Sequence, residues 1–139
     1  MSEDKQYDFY VAGPFFDPEQ TASMEQILED HGKVLFKPRF VSQIEEVGPE
    51  GCFADDIHGI NAAKAVVANL MDEDPGTMFE IGYAHALGIP VYGYFENLTP
   101  MDRVNLMIAH WCSSVLMMWR NTWKPASIRK SITSSSKQL

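Results

Sequence analysis

The sequence of 139 residues predicts an α/β fold, a single doubly wound domain of Rossmann-like or flavodoxin-like type, with a five-stranded parallel sheet and helices on both faces. Three observations predict it. Apolar runs alternate with helical stripes from one end of the chain to the other. Two of those runs, residues 65–71 (AVVANLM) and 89–95 (IPVYGYF), lack the polar alternation of a half-exposed strand, as strands covered on both sides do. Turn residues separate the segments at short intervals, which suits strand–helix–strand crossovers of one hand.

The elements follow in order. Tyr7–Ala12 (YDFYVA) reads as the first strand, and Pro18–Asp30 as a helix with Met24, Ile27 and Leu28 on one stripe before Gly32 stops it. His31 fits the last turn of that helix. Residues 34–36 make a second strand. Residues 37–51, rich in Pro, Gly and Glu, read as a loop long enough to suggest a functional role. A helix over 53–63 would turn Ile57 and Ile60 or Asn61 inward, and 65–71 is the third strand. The turn Asp72-Glu73-Asp74-Pro75-Gly76 leads into a helix over 77–87, closed by Gly88. After the strand at 89–95 come a helix over 100–111, with Val104, Met107 and Ile108 spaced for burial, and a last strand, Ser114–Trp119. The domain is expected over 1–123, with 124–139 a basic, Ser-rich tail.

Composition narrows the function. With 45% hydrophobic and 22% charged residues the chain can bury a core, so it is not a disordered segment. Its net charge of -8 opposes binding to a nucleic-acid polymer. The start MSEDKQYDFY lacks a signal-peptide pattern, and no apolar run approaches the roughly 18 residues of a membrane span. Cys52 and Cys112 show no CxxC pattern, which fits a reducing compartment, and the expectation is a cytoplasmic protein with no membrane partner. His58, His85 and His110 lack ligand spacing, so no metal is expected.

In open parallel sheets ligands bind at the carboxyl ends of the strands, where strand order reverses. The segments expected there are Gly13-Pro14-Phe15-Phe16-Asp17 after the first strand and 72–76 after the third, with Glu80 in the first turn of the next helix. The first loop has neither GxGxxG nor the GK[ST] of a phosphate-binding loop, so no dinucleotide or other cofactor is expected. Carboxylates dominate instead. Near a helix N-terminus Glu80 is expected to be ionised, and an anion against an apolar wall can attack an electron-poor carbon. Asp74, close by, would then hold the proton that such chemistry needs, a division of labour suited to glycosidic bonds. The structural alternatives remain open at this point: Asp74 as a turn residue and Glu80 as a dipole partner, although a Glu heading the stripe Glu80, Tyr83, Ala84, Leu87 costs energy unless it is employed.

At these residues the sequence resembles the nucleoside 2-deoxyribosyltransferase family. The resemblance rests on Tyr10-Val11-Ala12-Gly13-Pro14-Phe15, Asp55-Asp56-Ile57-His58-Gly59-Ile60, the string from Asp74 to Ala84 (DPGTMFEIGYA), and Asn105-Leu106-Met107. It implies transfer of a 2-deoxyribosyl group between nucleobases by double displacement, through a covalent deoxyribosyl-Glu80 intermediate, with slow hydrolysis as a side reaction. In that scheme Asp74 handles the proton of the leaving base, Asp56 contacts the sugar hydroxyls and Tyr10 orients Glu80. Asn105 reaches a neighbouring subunit's sugar, which implies a homo-oligomer, a dimer or a hexamer. Gly13 and Phe15 in the first loop and Gln43 after the second strand complete the substrate-binding set. The family's terminal aromatic residue has no counterpart in Ser136-Lys137-Gln138-Leu139, so that contact is not carried over. The apolar, then acidic, loop 14–17 favours uncharged 2'-deoxynucleosides and free nucleobases over phosphorylated substrates. Two rivals stand beside this reading: an N-glycosidase hydrolysing nucleosides or their 5'-monophosphates, and a non-catalytic nucleotide-sensing module.

Overall fold

In the computed structural model residues 5–14, 18–70, 74–94, 114–119 and 122–124 are described, the last two segments by their backbone alone. The elements are β1 (Tyr7–Ala12), α1 (Pro18–Asp30), β2 (Leu35–Phe36), α2 (Pro38–Val41), α3 (Ile44–Asn61), β3 (Ala63–Asn69), α4 (Pro75–Ala86), β4 (Val91–Tyr94), β5 (Ser114–Trp119) and β6 (Thr122–Lys124). They form one sheet in the order β2-β1-β3-β4-β5-β6. Neighbours from β2 to β5 pair in parallel, and β6 pairs antiparallel with β5. The expected α/β architecture with a parallel sheet is present, with the antiparallel β6 as an addition the sequence did not announce. Winding reverses between β1 and β3, so the carboxyl ends of these two strands form the topological switch point.

Alternation along β1 divides the core. Tyr10 and Ala12 face one side, packed with Phe36, Ile60, Val66, Ile81 and Ala84, which puts α3 and α4 on that face. Phe9 and Val11 face the other, with Met24 and Leu28 of α1. Buried β3 sits between them with a near-continuous apolar run, and only Lys64 of its seven residues is exposed. Gly32 and Gly88, both at φ +74°, close α1 and α4 in the left-handed conformation that glycine adopts without steric cost.

The segment 37–51 is helical rather than a loop. Pro38 occupies the first turn of α2, and Pro49 follows Gly48, whose φ of 68° breaks the helical path inside α3. Proline at a helix start has no N–H to lose, so the same residues that suggested a loop instead begin two short helical runs. The helix expected over 53–63 thus starts at Ile44, and of its inward candidates Ile60 is fully buried while Asn61 is exposed. Helix α4 starts at Pro75, two residues before the expected position. Its buried stripe is Thr77, Ile81 and Ala84 rather than Glu80, Tyr83, Ala84 and Leu87, and Leu87 is 48% exposed. The helix expected over 100–111, Phe15, Asn105, Cys112 and residues 125–139 lie outside the described residues.

Candidate active site

The site begins with Tyr10. Its ring is fully buried, paired in register with Phe36 of β2 and stacked on that ring at 5.5 Å between centroids and 15° between planes. Phe36 lies in turn against Gly59 of α3, where an added Cβ would come within 2.5 Å of the ring. Helix α3 can approach the sheet this closely only because residue 59 has no side chain. From the centre of the sheet the Tyr10 hydroxyl is thereby directed into the space between α3 and α4. It meets Asp56 from one helix and Glu80 from the other; burial raises the tyrosine's pKa most, and each carboxyl raises it further.

Neither Tyr10 Oη nor Glu80 Oε2 is exposed to solvent, and neither makes a hydrogen bond of full geometry, while the Tyr10 hydroxyl lies close enough to Glu80 and Asp56 to favour their charged forms as a donor. Buried polar atoms without partners are costly and rare; of the three among the described side chains, Glu25 Oε2 lies on α1, and the other two, Tyr10 Oη and Glu80 Oε2, share this cleft, where they could receive a bound group. Glu80 is pushed up to about 8, chiefly by burial, with the Tyr10 hydroxyl opposing the rise and the neighbouring Asp56 and Asp74 adding to it. Asp56 is pushed up to about 6, first by burial, with Asp55 adding to the rise and Tyr10 opposing it.

Glu80 was expected to be ionised at neutral pH; instead its surroundings push it up to about 8, which favours the protonated form. Two physical reasons account for the correction. Because α4 begins at Pro75, Glu80 lies beyond the first turn, which contains no acidic residue, and the macrodipole fades over that distance. Desolvation, the larger effect, favours the uncharged form.

Asp74 has a visible structural task. It is the N-cap of α4, and its Oδ2 accepts from Thr77 N at 2.8 Å and from Thr77 Oγ1 at 2.9 Å. It also lies near enough to Glu80 to raise that carboxyl. Gly13 follows β1 at a tight approach, where a Cβ would stand 2.7 Å from Thr21 Oγ1 and 3.4 Å from Asn69 Cβ. Thr21 and Asn69 are both buried, and the Asn69 amide donates to Thr21 Oγ1 at 3.3 Å, a polar link beneath the loop that was not anticipated from sequence. Gln43 sits apart from the acid cluster in these contacts: exposed, at the N-cap position of α3, it donates to the Arg39 carbonyl at 3.4 Å. The structure therefore brings Tyr10, Asp56, Asp74 and Glu80 together, with Gly13 at the end of the same strand as Tyr10.

A second charged group went unnoticed in the sequence. Glu25 is buried on α1 and paired with Arg39; a carboxylate flanked by Met24 and Leu28 on one helical stripe was the available signal. Among the described residues no group of three or more His, Cys, Asp or Glu is arranged to hold a metal ion, and no helix is long and apolar enough to cross a membrane.

The family model described as nucleoside 2-deoxyribosyltransferase matches residues 9–127. Among solved structures, a 2-deoxyribosyltransferase from the psychrotolerant bacterium Bacillus psychrosaccharolyticus matches with a TM-score of 0.66 and 28% identity, over 80% of this chain and 85% of that one. A conserved protein from Enterococcus faecalis V583 matches with a TM-score of 0.62 and 20% identity, over 94% of this chain and 98% of that one. A CMP N-glycosidase from Clostridium botulinum matches with a TM-score of 0.53 and 18% identity, over 94% and 99% of the two chains. The last two similarities speak for the fold alone. No curated protein sequence matches the chain.

Proposed function

Because the chain belongs to the nucleoside 2-deoxyribosyltransferase family, we propose that it transfers a 2-deoxyribosyl group from one nucleobase to another by double displacement, with Glu80 as the nucleophile. The observation that carries this reading is the buried, hydrogen-bond-deficient pair Tyr10 Oη and Glu80 Oε2, flanked by Asp56 and Asp74 at the sheet's switch point.

A Glu80 oxygen attacks C1' of a bound 2'-deoxynucleoside, and the C1'–N bond breaks with its electron pair going to the base nitrogen. The products are a deoxyribosyl-Glu80 ester and a free base. A departing base needs a proton, and a glutamic acid becoming an ester must lose one. A proton on Glu80, the form that burial favours, would balance the first half-reaction without exchange with bulk solvent. Asp74 is the relay in this scheme, acting through Oδ1 while Oδ2 stays bonded to Thr77. Asp56 receives the sugar hydroxyls, and Tyr10 orients Glu80 from below. Gly13, Phe15 and Gln43 border the substrate, and Asn105 is contributed across subunits of a homo-oligomer. An acceptor base reverses the steps; water in its place gives slow hydrolysis.

The test supplies a 2'-deoxynucleoside with and without a second free base and identifies the products. A nucleoside carrying the new base is expected, together with loss of that exchange in Glu80→Ala at unchanged circular dichroism. Free sugar alone in both arms would make the protein an N-glycosidase. Binding without turnover, unaffected by Glu80→Gln, would make it a sensing module. Full exchange activity in Glu80→Ala would overturn the assignment of the nucleophile.

A further inference from the structure

Helix α2 is held by charge rather than by burial. None of its residues is buried, and Phe40 and Val41 are 67% and 51% exposed, yet it packs against both β1 and α3. What ties it down is a carboxylate on the opposite layer. Glu25 belongs to the stripe of α1 whose Met24 and Leu28 pack on the sheet, and its side chain is only 3% exposed. Its Oε1 accepts from Arg39 Nη1, and its Oε2 lies 3.8 Å from Lys37 Nζ, which also donates to Glu29 Oε1 at 2.6 Å. A carboxylate in such a position is tolerated only when paired, so Glu25 dictates where Arg39 must be. Arg39 and Lys37 flank Pro38 just after β2, at the carboxyl edge of the parallel sheet. From Arg39 the anchor continues through its carbonyl, which accepts from Gln43, to the head of α3, while Asp56 lies on the run of α3 beyond the break at Gly48.

We propose that Glu25 and Arg39 are positioning residues for substrate binding: their ion pair docks α2 onto the α1 layer at the carboxyl edge of the sheet, against β1, which carries Tyr10, so that this edge is set before substrate arrives. The identity of the substrate rests on the deoxyribosyl-transfer reading; the docking does not. The pair acts through α2 and Gln43 and touches no reacting atom. Glu80 stands on a separate helix, α4, so the pair governs affinity rather than the chemical step.

Two variants test this. Glu25→Gln keeps the shape and removes the charge, and Arg39→Lys keeps the charge and removes the planar fork, so at least one is expected to remain folded. In each folded variant KM for a 2'-deoxynucleoside is expected to rise roughly five-fold or more while kcat stays within about two-fold. Amide hydrogen exchange should quicken over residues 37–46 and stay unchanged in β1 and β3. An unchanged KM, or a fall in kcat at constant KM, would overturn the positioning role. Exchange that quickens evenly across the sheet would reduce the pair to a general stabilising contact. Should the wild-type protein turn over no nucleoside, the functional reading fails by itself, and the exchange measurement still decides whether the pair docks α2.

Discussion

At the scale of single residues, Glu80 and Asp56 link the site to stability through protons. A carboxyl whose folded pKa exceeds its unfolded value favours the folded state while it is protonated. For Glu80 that contribution is complete below about 4.5 and is lost as pH rises through about 8; for Asp56 it is lost as pH rises through about 6. The melting temperature is therefore expected to fall from about pH 4.5 to about pH 8, and Glu80→Gln, which cannot ionise, should remove most of that fall. Thermal unfolding of both proteins across this range checks it; parallel curves would mean that Glu80 is not buried as a neutral acid. Asp74 allows a different separation. Replacing the cap by Ala should cost about 1 kcal/mol of stability, whereas Asp74→Asn retains a capping oxygen. A fall in base exchange in Asp74→Asn at nearly unchanged stability would show that the carboxyl has a task beyond capping.

At the scale of elements, the contact between α3 and β2 is the most sensitive joint. Gly59→Ala drives a methyl group into the Phe36 ring, which is buried and stacked on Tyr10. A destabilisation of roughly 1–3 kcal/mol is expected, measurable by denaturant unfolding, accompanied by impaired exchange because Tyr10 moves with its partner. Strand β1 and the start of α1 were legible residue by residue, since YDFYVA alternates onto two buried faces and Met24 and Leu28 share one stripe. What escaped was the helical character within 38–51, since the helix expected over 53–63 is present. Gly48, Pro49 and the glutamates around them have the composition of a loop, and only the position of each proline at the start of a helical run distinguishes the two. Glu25 left a trace on the Met24–Leu28 stripe, but its partner did not: Arg39 lies on another element, and pairing across elements leaves no periodic pattern.

At the scale of the whole molecule, the acid cluster is a product of winding. Tyr10 comes from β1, Asp56 from the helix that crosses to β3, and Glu80 from the helix that leaves it, and the reversal of strand order between β1 and β3 is what lets two helices flank one tyrosine. The candidate residues themselves were legible because a short acidic string beside glycine and aromatic residues is distinctive. Their protonation was not, because burial is a property of the assembled core and outweighs the local helix dipole. The proposed role of Asn105 belongs to this scale as well. If it completes a neighbour's site, static light scattering should give a mass at least twice that of one chain at micromolar concentration; an active monomer would remove Asn105 from the site.

The register of β1 against β3, with Tyr10 opposite Val66, also has a kinetic meaning. This pairing closes a long loop containing α1, β2, α2 and α3, and such non-local contacts form late because the entropy of closure is spent before they give anything back. Tyr10 cannot be buried, nor Glu80 desolvated, until that closure is made and α4 has docked. During refolding, recovery of base exchange should therefore lag behind the far-ultraviolet helical signal, so that enzymatic activity reports the final closure of the sheet.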